Sequence, residues 1–207
     1  MKMKAYLRSS HLGFVLSCLP VLVHASGVVT EPTEASLRAA LAGGGTVTFA
    51  CDGVIPLAST LVIAYITNAT LDASGHSVTL SGGNAVRVLH VNPGERLTLI
   101  NLTVANGRAE HDAGLFNARG TVRLTNCTSA FNQARGTNGV VTGSWQDLPL
   151  LDGGPAYGGA VWNGGALVAI DTVFRTNSAT GGTGGVENRA RDVSGWFGFA
   201  PRGVSLV

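Results

Sequence analysis

The densest run of reactive side chains in this 207-residue chain is Arg108, Glu110, His111 and Asp112, with Arg119 close behind. Carboxylates, an imidazole and guanidinium groups so close together are the raw material of acid–base chemistry on a glycan. A polysaccharide lyase needs grouped carboxylates for a calcium ion and a base for the proton α to a uronate carboxylate. A hydrolase needs two carboxylates flanking the scissile bond. The chain holds only 12 Asp and Glu residues, however, and no two share one repeat position in successive repeats. A polar loop bearing a histidine is ordinarily just solvated. The four residues are therefore the alternative, catalytic reading; the leading reading has no catalytic residues, no metal ligands and no cofactor. Trp145, Tyr157 and Trp162 offer a different chemistry. Aromatic rings give contact area at low entropic cost, so these three are the candidates for touching a surface glycan or protein ligand. Trp162, which lies inside a repeat, is read first as a packing residue.

The elements that must position these groups come from one pattern written three times. It appears as Leu99-Ile100-Asn101-Leu102-Thr103-Val104-Ala105, as Leu124-Thr125-Asn126-Cys127-Thr128-Ser129-Ala130 and as Ala169-Ile170-Asp171-Thr172-Val173-Phe174-Arg175, at intervals of 25 and 45 residues. A short polar stretch ending in alanine follows each copy. Around them run short segments rich in Thr, Val, Ile and Leu with a period of two: 46–50, 60–64, 69–72, 77–80, 85–91 and 97–104. Gly, Asn and Pro punctuate them. An antiparallel sandwich shares these spacings, but nothing in it demands that Asn or Asp return at one site per repeat. In a parallel stack the amides hydrogen-bond from one repeat to the next. Asn101, Asn126 and Asp171 are read as such a column. The expected fold is all-β, a right-handed parallel β-helix of few coils, in which each coil buries its apolar face against its neighbours.

The boundaries follow. Lys2, Lys4 and Arg8 precede an apolar run from Leu12 to Val23, and Val23-His24-Ala25 offers small residues for a cut, so residues 1–25 read as a secretory signal peptide cleaved near Ala25. Residues 26–45 are an N-terminal cap: a strand at Val28-Val29-Thr30, then a helix from about Glu34 to Ala42, with Thr33 as its N-cap and Gly43-Gly44-Gly45 as its stop. Residues 46–185 form the coils. Removing about 20 residues from Arg135 to Ala156 restores the 25-residue interval, so 135–156, which carries Trp145, Asp147 and Asp152, is an inserted Gly-rich loop. Residues 186–207 repeat nothing before them and read as an irregular tail, either a terminal cap or the mark of a truncated or frameshifted gene.

Composition excludes some partners. Of 14 Lys and Arg, three leave with the signal peptide, so 11 arginines face 12 acids. Such a chain lacks the basic field that nucleic-acid binding requires, and no stretch after the signal peptide is apolar enough to form a stable transmembrane segment. Cys51 and Cys127 are read first as separate buried thiols, with a disulfide between them as the alternative that an oxidising compartment permits.

Gly158-Gly159-Ala160-Val161 followed by Phe174-Arg175-Thr176-Asn177 resembles the paired GGA(I/L/V) and FxxN repeats of the polymorphic outer membrane proteins. Ala113-Gly114-Leu115-Phe116 and Ser129-Ala130-Phe131-Asn132 are worn copies. The segment 44–107 is also similar to the opening coils of secreted bacterial right-handed β-helix repeat proteins. The resemblance covers about residues 28–185. It implies a secreted or cell-surface, outer-membrane-associated β-helix with an adhesin-like role, in some relatives a passenger ahead of a C-terminal barrel, of which this chain would be a fragment. In physical terms Gly158 and Gly159 permit the tight turn, Phe174 fills space between coils and Asn177 satisfies corner backbone groups.

Overall fold

The computed structural model describes residues 27–64, 68–139 and 153–183. The expected signal peptide over residues 1–25, the loop residues Trp145, Asp147 and Asp152, and the tail 186–207 lie outside the described residues.

The chain opens with strand β1 (Gly27–Val29) and helix α1 (Glu34–Leu41). Thr33 caps the helix, its Oγ1 accepting from the Ser36 N–H at 3.2 Å, which satisfies one of the free donors of the first turn. Leu37 and Leu41 are buried where the helix packs on β1 and the strand after it. The chain leaves the helix through Gly44 and Gly45, both with positive φ (67° and 76°).

Five circuits follow. The first comprises β2 (Gly45–Phe49), β3 (Gly53–Pro56) and β4 (Leu61–Ile63). The second comprises β5 (Ala69–Asp72), β6 (Val78–Ser81) and β7 (Leu89–Val91). The third has β8 (Arg96–Ile100), β9 (Leu102–Ala105), β10 (Arg108–Ala109) and β11 (Leu115–Asn117). The fourth has β12 (Thr121–Thr125), β13 (Thr128–Ala130), β14 (Gln133–Arg135) and β15 (Val161–Asn163), and the fifth β16 (Ala166–Ile170), β17 (Val173–Arg175) and β18 (Ser178–Thr180). Like strands of successive circuits pair to give four sheets, β1-β2-β5-β8-β12-β16, β3-β6-β9-β13-β17, β10-β14-β18 and β4-β7-β11-β15. Each pairing is parallel, for example Leu99 with Leu124 and Leu89 with Leu115. The chain is thus an all-β protein of parallel sheets with one helix among the described residues, an arrangement compatible with a parallel β-helix.

Register turns the period of two into columns. Val47, Leu71, Leu99 and Leu124 stack inward from one sheet, Ile55, Leu80 and Val104 from the second, and Leu61, Leu89 and Leu115 from a third. All are buried. Removing one such leucine or valine from water is worth about 1.5–3 kcal/mol, and because every column crosses circuit boundaries, that gain ties one circuit to the next.

Four expectations need correction. The segment 97–104 is not one strand: Asn101 adopts left-handed backbone (φ 57°) and breaks it into β8 and β9. No strand is expected at 53–56, yet β3 forms there with Ile55 paired to Leu80. The expected strand 85–91 shortens to β7 (Leu89–Val91), since the chain is still turning after Asn84, whose φ is 56°. The inserted loop starts later than Arg135, which belongs to β14 and pairs with Thr180. Phe174 joins the inward column above Val104 and Ser129, yet it sits in the outermost described circuit and is 45% exposed.

Candidate functional site

Asparagines hold the corners. Asn101, Asn126 and Asp171 all take positive φ (57°, 51° and 48°) between the first and second strands of their circuits. Asn and Asp tolerate this region better than other side chains. The Asn126 Nδ2 donates to Asn101 Oδ1 at 2.5 Å, and the Asn101 Nδ2 to Ser74 Oγ at 2.6 Å. A second pair is buried deeper: Asn132 donates through Nδ2 to Asn177 Oδ1 (3.0 Å), and Asn177 Nδ2 donates to the Ser129 carbonyl (2.9 Å). A third was not singled out in the sequence: Asn117 donates to Asn163 Oδ1 at 2.6 Å and accepts from the Gly120 N–H at 2.8 Å. These columns are scaffold.

Chemistry collects instead on the outer face of the sheet β4-β7-β11-β15. Register places His90, Phe116 and Trp162 side by side on it. Their rings are in contact: His90 meets Phe116 edge-on with centroids 4.8 Å apart, and Phe116 meets Trp162 at 4.9 Å. Trp162 is therefore not a core residue. It lies on the outside, 37% exposed, because it takes the same outward position as Phe116 and His90.

Arg87 crosses over this column. Its guanidinium carbon stands 5.0 Å from the Phe116 ring centroid, a cation–π distance. Its Nε donates to the Asp112 carbonyl (2.7 Å) and its Nη2 to the His111 carbonyl (3.0 Å). The same Nη2 stands 4.0 Å from the Asp112 carboxylate. Tyr157 closes the other flank. Its ring lies 5.5 Å from His111, its carbonyl accepts from the Asp112 N–H at 2.8 Å, and it is 54% exposed.

Asp112 is the anomaly of the site. It is 6% exposed, holds a positive φ of 57°, and its Oδ1 has no hydrogen-bond partner among the described residues; the same is true of the buried His111 Nδ1. Burial pushes the Asp112 pKa up, with Arg87 and His111 pulling it partway back. Burial and the charge of Arg87 lower the pKa of His90. Gly158, in register with Asp112 and at φ 59°, is needed for space as well as conformation, since a Cβ there would lie 2.8 Å from both Asp112 Oδ1 and Trp162 Cβ.

The four residues of the catalytic reading divide at this corner. His111 and Asp112 join the aromatic face, whereas Arg108 and Glu110 line a trough of about 710 Å³ with Arg135, Thr137 and Thr180. Conversely, the structure joins groups that the sequence kept apart, because His111 and Asp112 touch Tyr157. Arg87, His90 and Phe116 were missed as site residues. Their signal was an outward position opposite Trp162, legible only once register is known.

Among the described residues no group of three or more His, Cys, Asp or Glu side chains is arranged to hold a metal ion, and no helix is long and apolar enough to cross a membrane. Cys51 and Cys127 are separate thiols, donating to the carbonyls of Val29 and Leu99. No family model, curated protein or solved structure matches the chain.

Proposed function

We propose that the chain is an exported, noncatalytic right-handed parallel β-helix, secreted or held at the cell surface, that binds glycan through its outer aromatic face in an adhesin-like role. The observation that carries this reading is the outward row His90, Phe116 and Trp162 with Arg87 over it, and the exposed Tyr157 against His111 at its flank. Rings displayed outward give a sugar's apolar C–H face a surface to rest on, and the guanidinium beside them supplies donors for its hydroxyls. Export is supported by the basic and apolar pattern of residues 1–25. Kinship with the polymorphic outer membrane proteins is supported by Gly158-Gly159-Ala160-Val161 and Phe174-Arg175-Thr176-Asn177, whose Gly158 and Asn177 serve the turn and the corner that such repeats require.

The test is binding of the whole exported protein to a broad panel of immobilised glycans. The reading expects at least one ligand, with Tyr157→Ala plus Trp162→Ala abolishing its binding while the thermal transition stays put. Retained binding in that double variant sinks it.

One observation favours a second reading, a carbohydrate-active β-helix enzyme. Asp112 is a buried carboxyl whose raised pKa favours the protonated form, as a general acid requires. This reading expects cleavage of a glycan that Asp112→Asn abolishes; absence of cleavage across the panel rules it out.

A further inference from the structure

We infer that the trough over β10, β14 and β18 is a separate binding site for an acidic oligosaccharide, one whose sugar rings bear carboxylates. This goes beyond the aromatic face and does not depend on it.

The sheet sets the geometry. Ala134 faces inward and is fully buried, so its neighbours Gln133 and Arg135 face out, and Arg108, in register with Gln133, faces out beside them. With strands about 4.8 Å apart and a rise of about 3.3 Å per residue, Arg108 and Arg135 stand diagonally, their Cα atoms roughly 8 Å apart. Both side chains are exposed and both line the trough. Arg135 Nη2 donates to Gln133 Oε1 at 3.1 Å. The ion pairs among the described residues are Arg38 with Glu34, His76 with Asp52 and Arg87 with Asp112, so neither trough arginine has a carboxylate partner there. With Glu110 counted, the described lining carries a net charge of one positive unit, and two guanidinium forks on adjacent strands are matched to carboxylates.

The rest of the lining chooses the kind of acid. Thr137, Asn138, Thr180 and Thr183 present hydroxyls and an amide, and Glu110, opposite Arg135 one residue past β10, adds an acceptor. The apolar side chains in the lining are no larger than alanine, at Ala85 and Ala109. An acidic peptide would need apolar or aromatic anchors to bind well; a polyhydroxylated chain needs the alternating donors and acceptors found here. Glu110 also limits the negative charge the trough tolerates, which favours a carboxylate-bearing sugar over a densely charged polyphosphate.

The experiment is calorimetric titration of the full chain with a hexuronic-acid oligomer, with the same oligomer after reduction of its carboxyls to alcohols, and with a poly-glutamate peptide of equal charge. The acid oligomer is expected to bind at least about tenfold tighter than either comparator. Arg108→Gln and Arg135→Gln should each weaken it about tenfold, with Arg→Lys at the same positions recovering part of the loss. Tyr157→Ala with Trp162→Ala should leave it unchanged, so failure of the aromatic reading and failure of this one are separable. Equal binding of the reduced oligomer, equal or tighter binding of the peptide, indifference to both glutamine variants, or no binding of the acid oligomer overturns the inference.

Discussion

Asn132→Ala removes four side-chain hydrogen bonds, as many as any single truncation at the corners. The side chain is fully buried. Its Oδ1 accepts from the Gly107 N–H at 2.8 Å, and its Nδ2 donates to the Val104 carbonyl (3.1 Å), Ser129 Oγ (3.1 Å) and Asn177 Oδ1 (3.0 Å). The loss is unevenly spread. Asn177 Oδ1 keeps the bond from the Asn132 backbone N–H at 3.0 Å, whereas the Gly107 N–H is stranded in a buried site. An orphaned buried donor costs about 1–3 kcal/mol, and each other bond is worth about 0.5–1.5 kcal/mol net. With partial compensation the sum is about 3 kcal/mol, which for a domain of this size lowers Tm by roughly 6–12 °C. The assay is urea denaturation followed by circular dichroism, with Asn126→Gly as the comparison, since glycine accepts the positive φ there and the change loses one bond at an exposed corner. Asn132→Ala should shift the midpoint at least about twice as far, with an unchanged slope. Equal shifts for the two variants would refute the idea that Asn132 pins three circuits together from inside.

Three further outcomes follow from the same geometry. Thr176 is exposed and β-branched, with φ 53°, at the corner position that Asn106 occupies with φ 53° in an earlier circuit; Thr176→Asn should therefore stabilise by about 1 kcal/mol, read as a higher melting temperature. Gly159→Ala places a Cβ 2.3 Å from the Ser178 carbonyl oxygen, and the backbone shift needed to relieve that contact should cost about 1–3 kcal/mol in the same melt. Burial raises the Asp112 pKa, so the folded state holds this proton more tightly than the unfolded chain. The stability Asp112 contributes is thus fully present below the unfolded carboxylate pKa of about 3.9 and is lost as pH rises through the raised folded value. The melting temperature of Asp112→Asn relative to wild type should accordingly climb between pH 4 and pH 7; a difference that shrinks over this interval would contradict the burial.

Much of this was legible in the sequence, for a local reason. Leu99 and Leu124, or Asn101 and Asn126, recur at an interval equal to one circuit, so the period alone places them in register. Where the circuit length varied, the reading failed. Leu61, Leu89, Leu115 and Val161 share a column although their spacing runs 28, 26 and 46 residues. The outward neighbours of that column, His90, Phe116 and Trp162, therefore show no repeat, and the Asn117–Asn163 pair is hidden by the same insertion. The catalytic cluster misled for the opposite reason. Proximity in sequence suggested one site, but the corner after β10 sends Arg108 and Glu110 to the trough and delivers His111 and Asp112 to the aromatic face. Trp162 looked like packing because it sits in a strand, and half the positions of a strand point outward.

The most direct test of the proposed binding role is to titrate the full chain with the tightest ligand from the glycan panel and then recover that ligand for mass spectrometry. Saturable binding, lost in Tyr157→Ala with Trp162→Ala, and a ligand recovered intact after prolonged incubation is the predicted result. A shortened or unsaturated product, formed by wild type and not by Asp112→Asn, would contradict it and make the aromatic face the mouth of an active site.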